Sequence, residues 1–278
     1  MASLELMTKK PVVILPFFIV VFLECLALEL IFFSTRRPLS FIADPIIRKL
    51  YGEAFVHYPY NLIILPKSFY YAQMAIYIFA GVFLTAISVN IFKNMTAGLP
   101  VKVKALVQNA SKRYLSFAGL GIILIVLVVL LKNVDSYISL RLIRFSSKYI
   151  PEIVSRFGYL GFSLLLFFSN LIIQVFTISA VPLMVIWKKP LLKALTGSIV
   201  FGFRNFLSVF KLMLLPFMIY LPVVLLKGYA DTLAAKTLPE ATLYIAIAGS
   251  IITAFVDCFI IVCVSRFLLE KNKSAVEK

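Results

Sequence analysis

Ile172–Phe210 reads IIQVFTISAVPLMVIWKKPLLKALTGSIVFGFRNFLSVF, and this stretch decides what kind of molecule the chain is. An apolar run ends at Trp187, two lysines follow, Pro190 opens a short segment, and a second apolar run begins at Phe206. In that segment Leu192, Leu195, Ile199, Phe203 and Phe206 recur at spacings of three and four, the period of one helix face. Lys193, Thr196 and Arg204 fall on the other face. A chain that leaves a bilayer and re-enters it needs such an elbow, with basic groups for the headgroups and about 20 apolar residues on each side. The plan occurs twice. Val101–Leu131 reads VKVKALVQNASKRYLSFAGLGIILIVLVVLL, opened by Pro100 and striped by Val103, Leu106, Val107, Ala110, Tyr114 and Phe117. Lys104-Ala105-Leu106 matches Lys193-Ala194-Leu195, and Tyr114-Leu115-Ser116 matches Phe206-Leu207-Ser208. Two readings stay open: an internal repeat whose units pair around a site, or the general need of any re-entering segment for a basic amphipathic lead-in.

Composition agrees with the elbow. Of 278 residues, 62% are hydrophobic and 14% charged, with a mean hydropathy of +1.01. A soluble domain carries about 45–50% apolar and about 25% charged residues, so the excess points to lipid. The net charge of +16 then reads as attraction to anionic headgroups, about 1 kcal/mol per basic residue near the surface. No segment between the apolar runs is long enough for a soluble basic domain, so a nucleic-acid partner is not expected. Cys25, Cys258 and Cys263 lie inside apolar runs, which is neither a disulfide framework nor a zinc spacing. His57 is the single histidine. Neither a metal nor another cofactor is expected.

The fold expected is all-α, a single polytopic domain with six membrane helices near residues 11–33, 69–92, 114–131, 159–187, 206–226 and 243–269. The first run is far longer than the 7–15 apolar residues of a signal peptide and is read as a retained helix. Fifteen Lys and Arg flank one side of these helices and twelve the other, so the positive-inside rule places both termini and both elbows in the cytoplasm. The expected location is the cell (inner) membrane. The loops on the opposite side carry their own helical signals. Asp44-Pro45 reads as a helix start, with Ile46, Ile47, Leu50, Tyr51, Ala54 and Phe55 as an apolar face lying in the interface. Tyr58, Tyr60, Phe69, Tyr70 and Tyr71 are placed like an aromatic belt. Arg141, Arg144 and Lys148, at i, i+3 and i+7, read as a second interfacial helix ended by Pro151. With Lys188, Lys189 and Lys193 they are the candidate contacts for anionic lipid.

Charged residues inside a membrane helix cost about 2.5–3.5 kcal/mol each on insertion scales, so each calls for a partner. Glu24 and Asp257 both fall near mid-bilayer and meet if the first and last helices pack together. Glu29 is about 140° around the helix from Glu24, at 3.6 residues per turn. Asn170, Gln174 and Thr177 form a polar stripe at i, i+4 and i+7. Together Glu24, Asp257, Asn170 and Gln174 are a candidate polar intramembrane site; the alternative is that they are packing residues hydrogen-bonded to neighbouring helices. Pro216 and Pro222 in one run suggest a kinked or broken helix.

The run AVPLMVIWKKPLLKALTGSIVFGFRNFLSVFKLML, from Ala180, resembles the central pattern of bacterial multi-helix membrane domains joined to some glycerophosphodiester phosphodiesterases, and of their stand-alone relatives. Pro182, Ala194, Leu195, Ser198, Arg204 and Asn205 carry the resemblance, over about 40 residues. Lys188-Lys189 stand where those domains have an acidic residue, and no phosphodiesterase domain is attached. The resemblance implies an accessory membrane domain and transfers no catalytic residue. No H-E-x-x-H, G-x-S-x-G, P-loop or G-x-G-x-x-G motif is present, so an enzyme is not expected. The function expected is that of a non-enzymatic accessory or scaffold component acting through lipid, a membrane-protein partner or a second copy. The alternative is a small transporter using Glu24, Asp257 and the Asn170–Gln174 stripe.

Overall fold

The computed structural model of the protein describes residues 11–57, 60–149, 168–236 and 240–276. Its helices are α1 (Leu15–Phe32), α2 (Ser40–Tyr51), α3 (Tyr60–Thr96), α4 (Val103–Ser111), α5 (Tyr114–Tyr149), α6 (Phe168–Ile186), α7 (Leu191–Arg204), α8 (Phe206–Lys236) and α9 (Ala241–Val276). Among the described residues there is no strand. Six helices, α1, α3, α5, α6, α8 and α9, are long and apolar enough to cross a membrane. The chain is an all-α polytopic membrane protein.

Several boundaries differ from those expected. α3 begins at Tyr60, well before Phe69, because Leu62, Ile64 and Leu65 already have a packed face to join. Pro66 is carried inside the helix. Phe69 is therefore a buried packing residue beside Leu28, Leu62 and Leu65, and not part of an aromatic belt. α5 continues to Tyr149 as one helix of 36 residues, about 54 Å at 1.5 Å per residue. No Gly or Pro interrupts it between Leu131 and Tyr149, so Arg141, Arg144 and Lys148 stand on an extension of α5 and not on a separate interfacial helix. Pro151 lies outside the described residues, as do Tyr58 and the first part of the span expected from residue 159. α2 starts at Ser40, so Asp44 is no cap and Pro45 lies within the helix. Nothing in Ser40–Ala43 stops the helix, and Pro45 withdraws only one N–H. α8 runs unbroken through Pro216 and Pro222.

The two elbows share one end of the bundle. Each is entered through a residue in the left-handed region, Gly98 (φ +69) and Lys188 (φ +53), two residues before Pro100 and Pro190. Gly98 fits that backbone freely, whereas Lys188 holds it without that freedom. α7 lies against α6 through a stripe of small buried residues, Ala194, Ser198 and Gly202. A Cβ on Gly202 would come within 3.1 Å of the Phe176 Cα and the Val175 carbonyl oxygen, so only glycine allows the approach. Leu192 and Ile199 point outward on the opposite side and are exposed, while the exposed Phe203 ring lies 4.6 Å from that of Phe176 on α6. Pro182 lacks the N–H that would meet the Ile178 carbonyl, and α6 makes a turn at Ile178–Ser179. There Ser198 Oγ donates to the Phe176 carbonyl (2.7 Å) and lies 3.3 Å from Ser179 Oγ. The end of α6 is held by the first elbow: Lys93 Nζ donates to the Ile186 carbonyl (3.3 Å) and Arg113 to that of Met184 (3.4 Å). Cations at a helix C-terminus complement its dipole.

The packed interior is divided in two. A large cluster at the elbow end joins Phe17 and Val21 of α1, Val82, Ala86 and Val89 of α3, and Ala254, Ile260 and Val264 of α9. A smaller one at the other end joins Leu28, Leu62, Leu65 and Phe69, with Leu243 and Ile247 packed against it. What lies between them is polar.

Candidate polar site in the membrane

Phe17, Val21 and Leu28 are the buried stripe of α1, and Glu24 occupies the turn between Val21 and Leu28. Its carboxylate is thus carried into the packed face between the two clusters. Gln73 stands in the same gap of α3, one turn after Phe69. Its Nε2 donates to Glu24 Oε2 at 3.0 Å and lies 3.5 Å from Ser250 Oγ of α9. Ser250 is 2% exposed and sits between Ile247 of one cluster and Ala254 of the other. Three helices are therefore tied together by one amide at mid-depth.

Asp257 completes the group. The outward face of α9 is marked by the exposed Tyr244, Ile251 and Phe255. At about 100° per residue Asp257 lies roughly opposite them. Its neighbours on that inner face, Ser250, Ala254, Ile260, Ile261 and Val264, are all buried, yet Asp257 is itself exposed. Asp257 is thus an exposed side chain among buried neighbours on that face. Among the described residues Asp257 accepts no hydrogen bond from the protein.

Tyr77 comes from α3 one turn beyond Gln73, at the start of a π turn spanning Tyr77–Gly81. π turns inside α-helices are frequent at functional sites. This one is pinned from α5. Tyr114 Oη donates to the Phe79 carbonyl (2.9 Å), and a Cβ on Gly121 would lie 3.1 Å from the Ile78 Cα. On the other side the Tyr77 ring occupies the space beside Gly81, where a Cβ would lie 3.0 Å from its Cδ2. The Tyr77 side chain is 40% exposed.

The structure thus joins Glu24 to Gln73 and Ser250, with Asp257 two turns beyond Ser250 on the same face of α9 and Tyr77 one turn beyond Gln73 on α3. Asn170 and Gln174 stand on α6, Asn170 half-buried. Gln174 is exposed. Glu29 is exposed and outside the cluster. Gln73 was findable as the one amide in the apolar run Phe69–Phe92 before Asn90. Tyr77 and Ser250 were not, since hydroxyl groups are ordinary in membrane helices. Of the cationic candidates, Lys189 Nζ stacks on the Trp187 ring at 4.7 Å, and Lys188 occupies the left-handed turn before α7. Lys193 is exposed in the first turn of α7. Among the described residues no three His, Cys, Asp or Glu are grouped so as to hold a metal ion.

No protein-family model, curated protein or solved structure matches the chain.

Proposed function

We propose that this multi-pass membrane protein is a small permease, working through a polar site at mid-bilayer formed by Glu24, Gln73, Tyr77, Ser250 and Asp257. The observation that carries the reading is Asp257, an exposed carboxylate on the inner face of α9 that accepts no hydrogen bond among the described residues. A residue that served only to glue helices would be expected to have its hydrogen bonds met by a neighbouring helix, because an unmet polar group in hydrocarbon costs several kcal/mol. Glu24 meets that description through Gln73, which is what favours the second reading, a non-enzymatic scaffold. In either case the protein is read as non-enzymatic, located in the cell membrane with both termini cytoplasmic, and in contact with anionic lipid at its elbows. The resemblance to the phosphodiesterase-associated membrane domain supports no more than the elbow architecture, since Ala194 and Ser198 are spent on packing α7 against α6.

Water access at mid-depth separates the two readings. In a background with Cys25, Cys258 and Cys263 replaced by alanine, Asp257→Cys is expected to react with a membrane-impermeant thiol reagent. Phe22→Cys, on the outward face of α1, is expected not to. Equal protection of both positions would favour the scaffold.

A further inference from the structure

We propose that the second elbow binds one anionic phospholipid through its phosphate, held by Lys188 and Lys189, with the acyl chains lying along the outward face of α7. The proposal rests on the reading that the elbows contact anionic lipid, narrows that contact to one site, and is independent of the permease.

Charge is the first argument. No Asp or Glu occurs between Glu53 and Asp135, and none between Glu152 and Asp231. Each elbow thus lies within a long acid-free stretch. Among the described residues the acid that α9 brings to this end is Glu270, already paired with Arg266 at 2.7 Å. Lys188, Lys189 and Lys193 enter no ion pair among the described residues. Nothing of opposite charge is left there to meet them.

The fold does not use these lysines up. A helix C-terminus attracts cations, but the last carbonyls of α6 are met from the first elbow, Ile186 by Lys93 and Met184 by Arg113. The elbows also differ at a matched position. Two residues before its proline the first has Gly98 and the second Lys188, both left-handed. Glycine adopts that backbone freely, whereas lysine does so against its own β-carbon. The turn itself is better served by glycine, so the lysine is there for its side chain.

Lys189 is held in readiness. Its Nζ lies 4.7 Å from the centroid of the Trp187 ring, and a Cβ on Gly197 would come within 3.4 Å of it. With indole on one side and α7 on the other, little side-chain freedom remains to be lost when a ligand arrives. Its ammonium donates no hydrogen bond to the protein among the described residues.

The surroundings identify what carries the anion. Trp187 is 37% exposed, and tryptophan belongs by type in the headgroup layer. Leu192, 70% exposed, and Ile199 then turn outward from α7. A free phosphate would meet the lysines and gain nothing from that apolar surface. A phospholipid is matched at both ends, and basic pockets beside membrane helices bind anionic head groups.

Trp187 is the single tryptophan of the chain, so its fluorescence reads the site directly. The full chain is reconstituted in phosphatidylcholine vesicles containing phosphatidylglycerol or phosphatidylcholine with brominated chains, which quench a neighbouring indole. One cation near an anionic surface is worth about fivefold in affinity, so brominated phosphatidylglycerol is expected beside Trp187 with at least about a fivefold preference. Lys189→Gln and Lys188→Gly are each expected to lower that preference severalfold. Lys188→Gly relieves the turn, so its melting temperature should be no lower than that of the wild type, which separates lost charge from lost fold. Lys102→Gln combined with Lys104→Gln, at the first elbow, should leave the preference unchanged. A preference that survives Lys188→Gly and Lys189→Gln, or that falls evenly with cations of either elbow, would overturn the site and leave the general attraction to anionic lipid standing. No preference in the wild type would overturn both. Inorganic phosphate, compared with chloride at equal ionic strength, is expected not to compete, and a phosphate-specific loss of the preference would overturn the lipid as ligand.

Discussion

At the scale of residues, the chain spends its few intramembrane polar groups in one place. Glu24 is tolerable in the packed stripe of α1 because Gln73 reaches it from α3 at 3.0 Å. Replacing Gln73 with leucine leaves that carboxylate without its donor. Unmet buried acceptors cost about 1–3 kcal/mol, so Gln73→Leu is expected to lower the melting temperature in detergent by several degrees. Glu24→Gln, which is neutral and can still bond an amide, should lower it less. An unchanged melting temperature in Gln73→Leu would show the bond to be idle. Gly202 is the other residue whose identity is dictated. Gly202→Val must push the α7 backbone off Phe176, at a cost of about 1–3 kcal/mol for overpacking. Thermal unfolding of that variant is expected at clearly lower temperature, while Leu192→Val, on the outward side of the same helix, should be close to neutral.

At the scale of elements, α3 is the helix on which the others converge. Its outer half packs on α1, its π turn on α5, and its elbow half on α6 and α9. At the π turn its regular hydrogen bonding changes register, and Tyr114 bonds one carbonyl from outside. Gly121→Val would drive a side chain into the Ile78 backbone. The expected result is a displaced π turn, with slower thiol labelling at Asp257→Cys by severalfold. Labelling at the wild-type rate would show that α5 does not set the position of Tyr77. The elbows differ in kind from α3. Both are short amphipathic helices opened by proline, and only the second has the small-residue face that lets it lie directly on its neighbour.

At the scale of the whole molecule, the elbows gather at one end and α2 lies at the other, as an even number of crossings requires. On the orientation proposed above, which follows the positive-inside bias, the elbows face the cytoplasm. Cysteines introduced at Ala97 and at His57, again without the native three, are expected to label from opposite sides of sealed vesicles, with Ala97 reached from the cytoplasmic face. The reverse pattern would invert the topology without touching the fold. The repeat also gains definition. α3–α4–α5 and α6–α7–α8 are two helix–elbow–helix units run in the same direction, each entered through a left-handed residue two positions before proline. The units touch near the elbows, where Lys93 and Arg113 hold the end of α6. The polar cluster lies elsewhere, between α1, α3 and α9, so if the duplication is ancestral it did not place the site at its own interface.

Class, number of crossings and the two elbows were legible in the chain itself, because the bilayer imposes them locally. About 20 apolar residues, basic flanks and proline at an elbow are conditions that each segment meets alone. The common depth of Glu24 and Asp257 could be anticipated too, since a helix has one rise per residue. Where helices end was less legible: Asp44-Pro45 and Pro66 look like boundaries, and the tertiary contacts of Ile47 and Leu62 carry the helices past them. Rotation about each axis was decided by packing alone. It left Gln174 exposed and set Gln73 and Ser250 beside Glu24. No local signal encodes it, because lipid and protein interior are equally apolar, so hydropathy marks the depth of a residue and not the neighbour it faces.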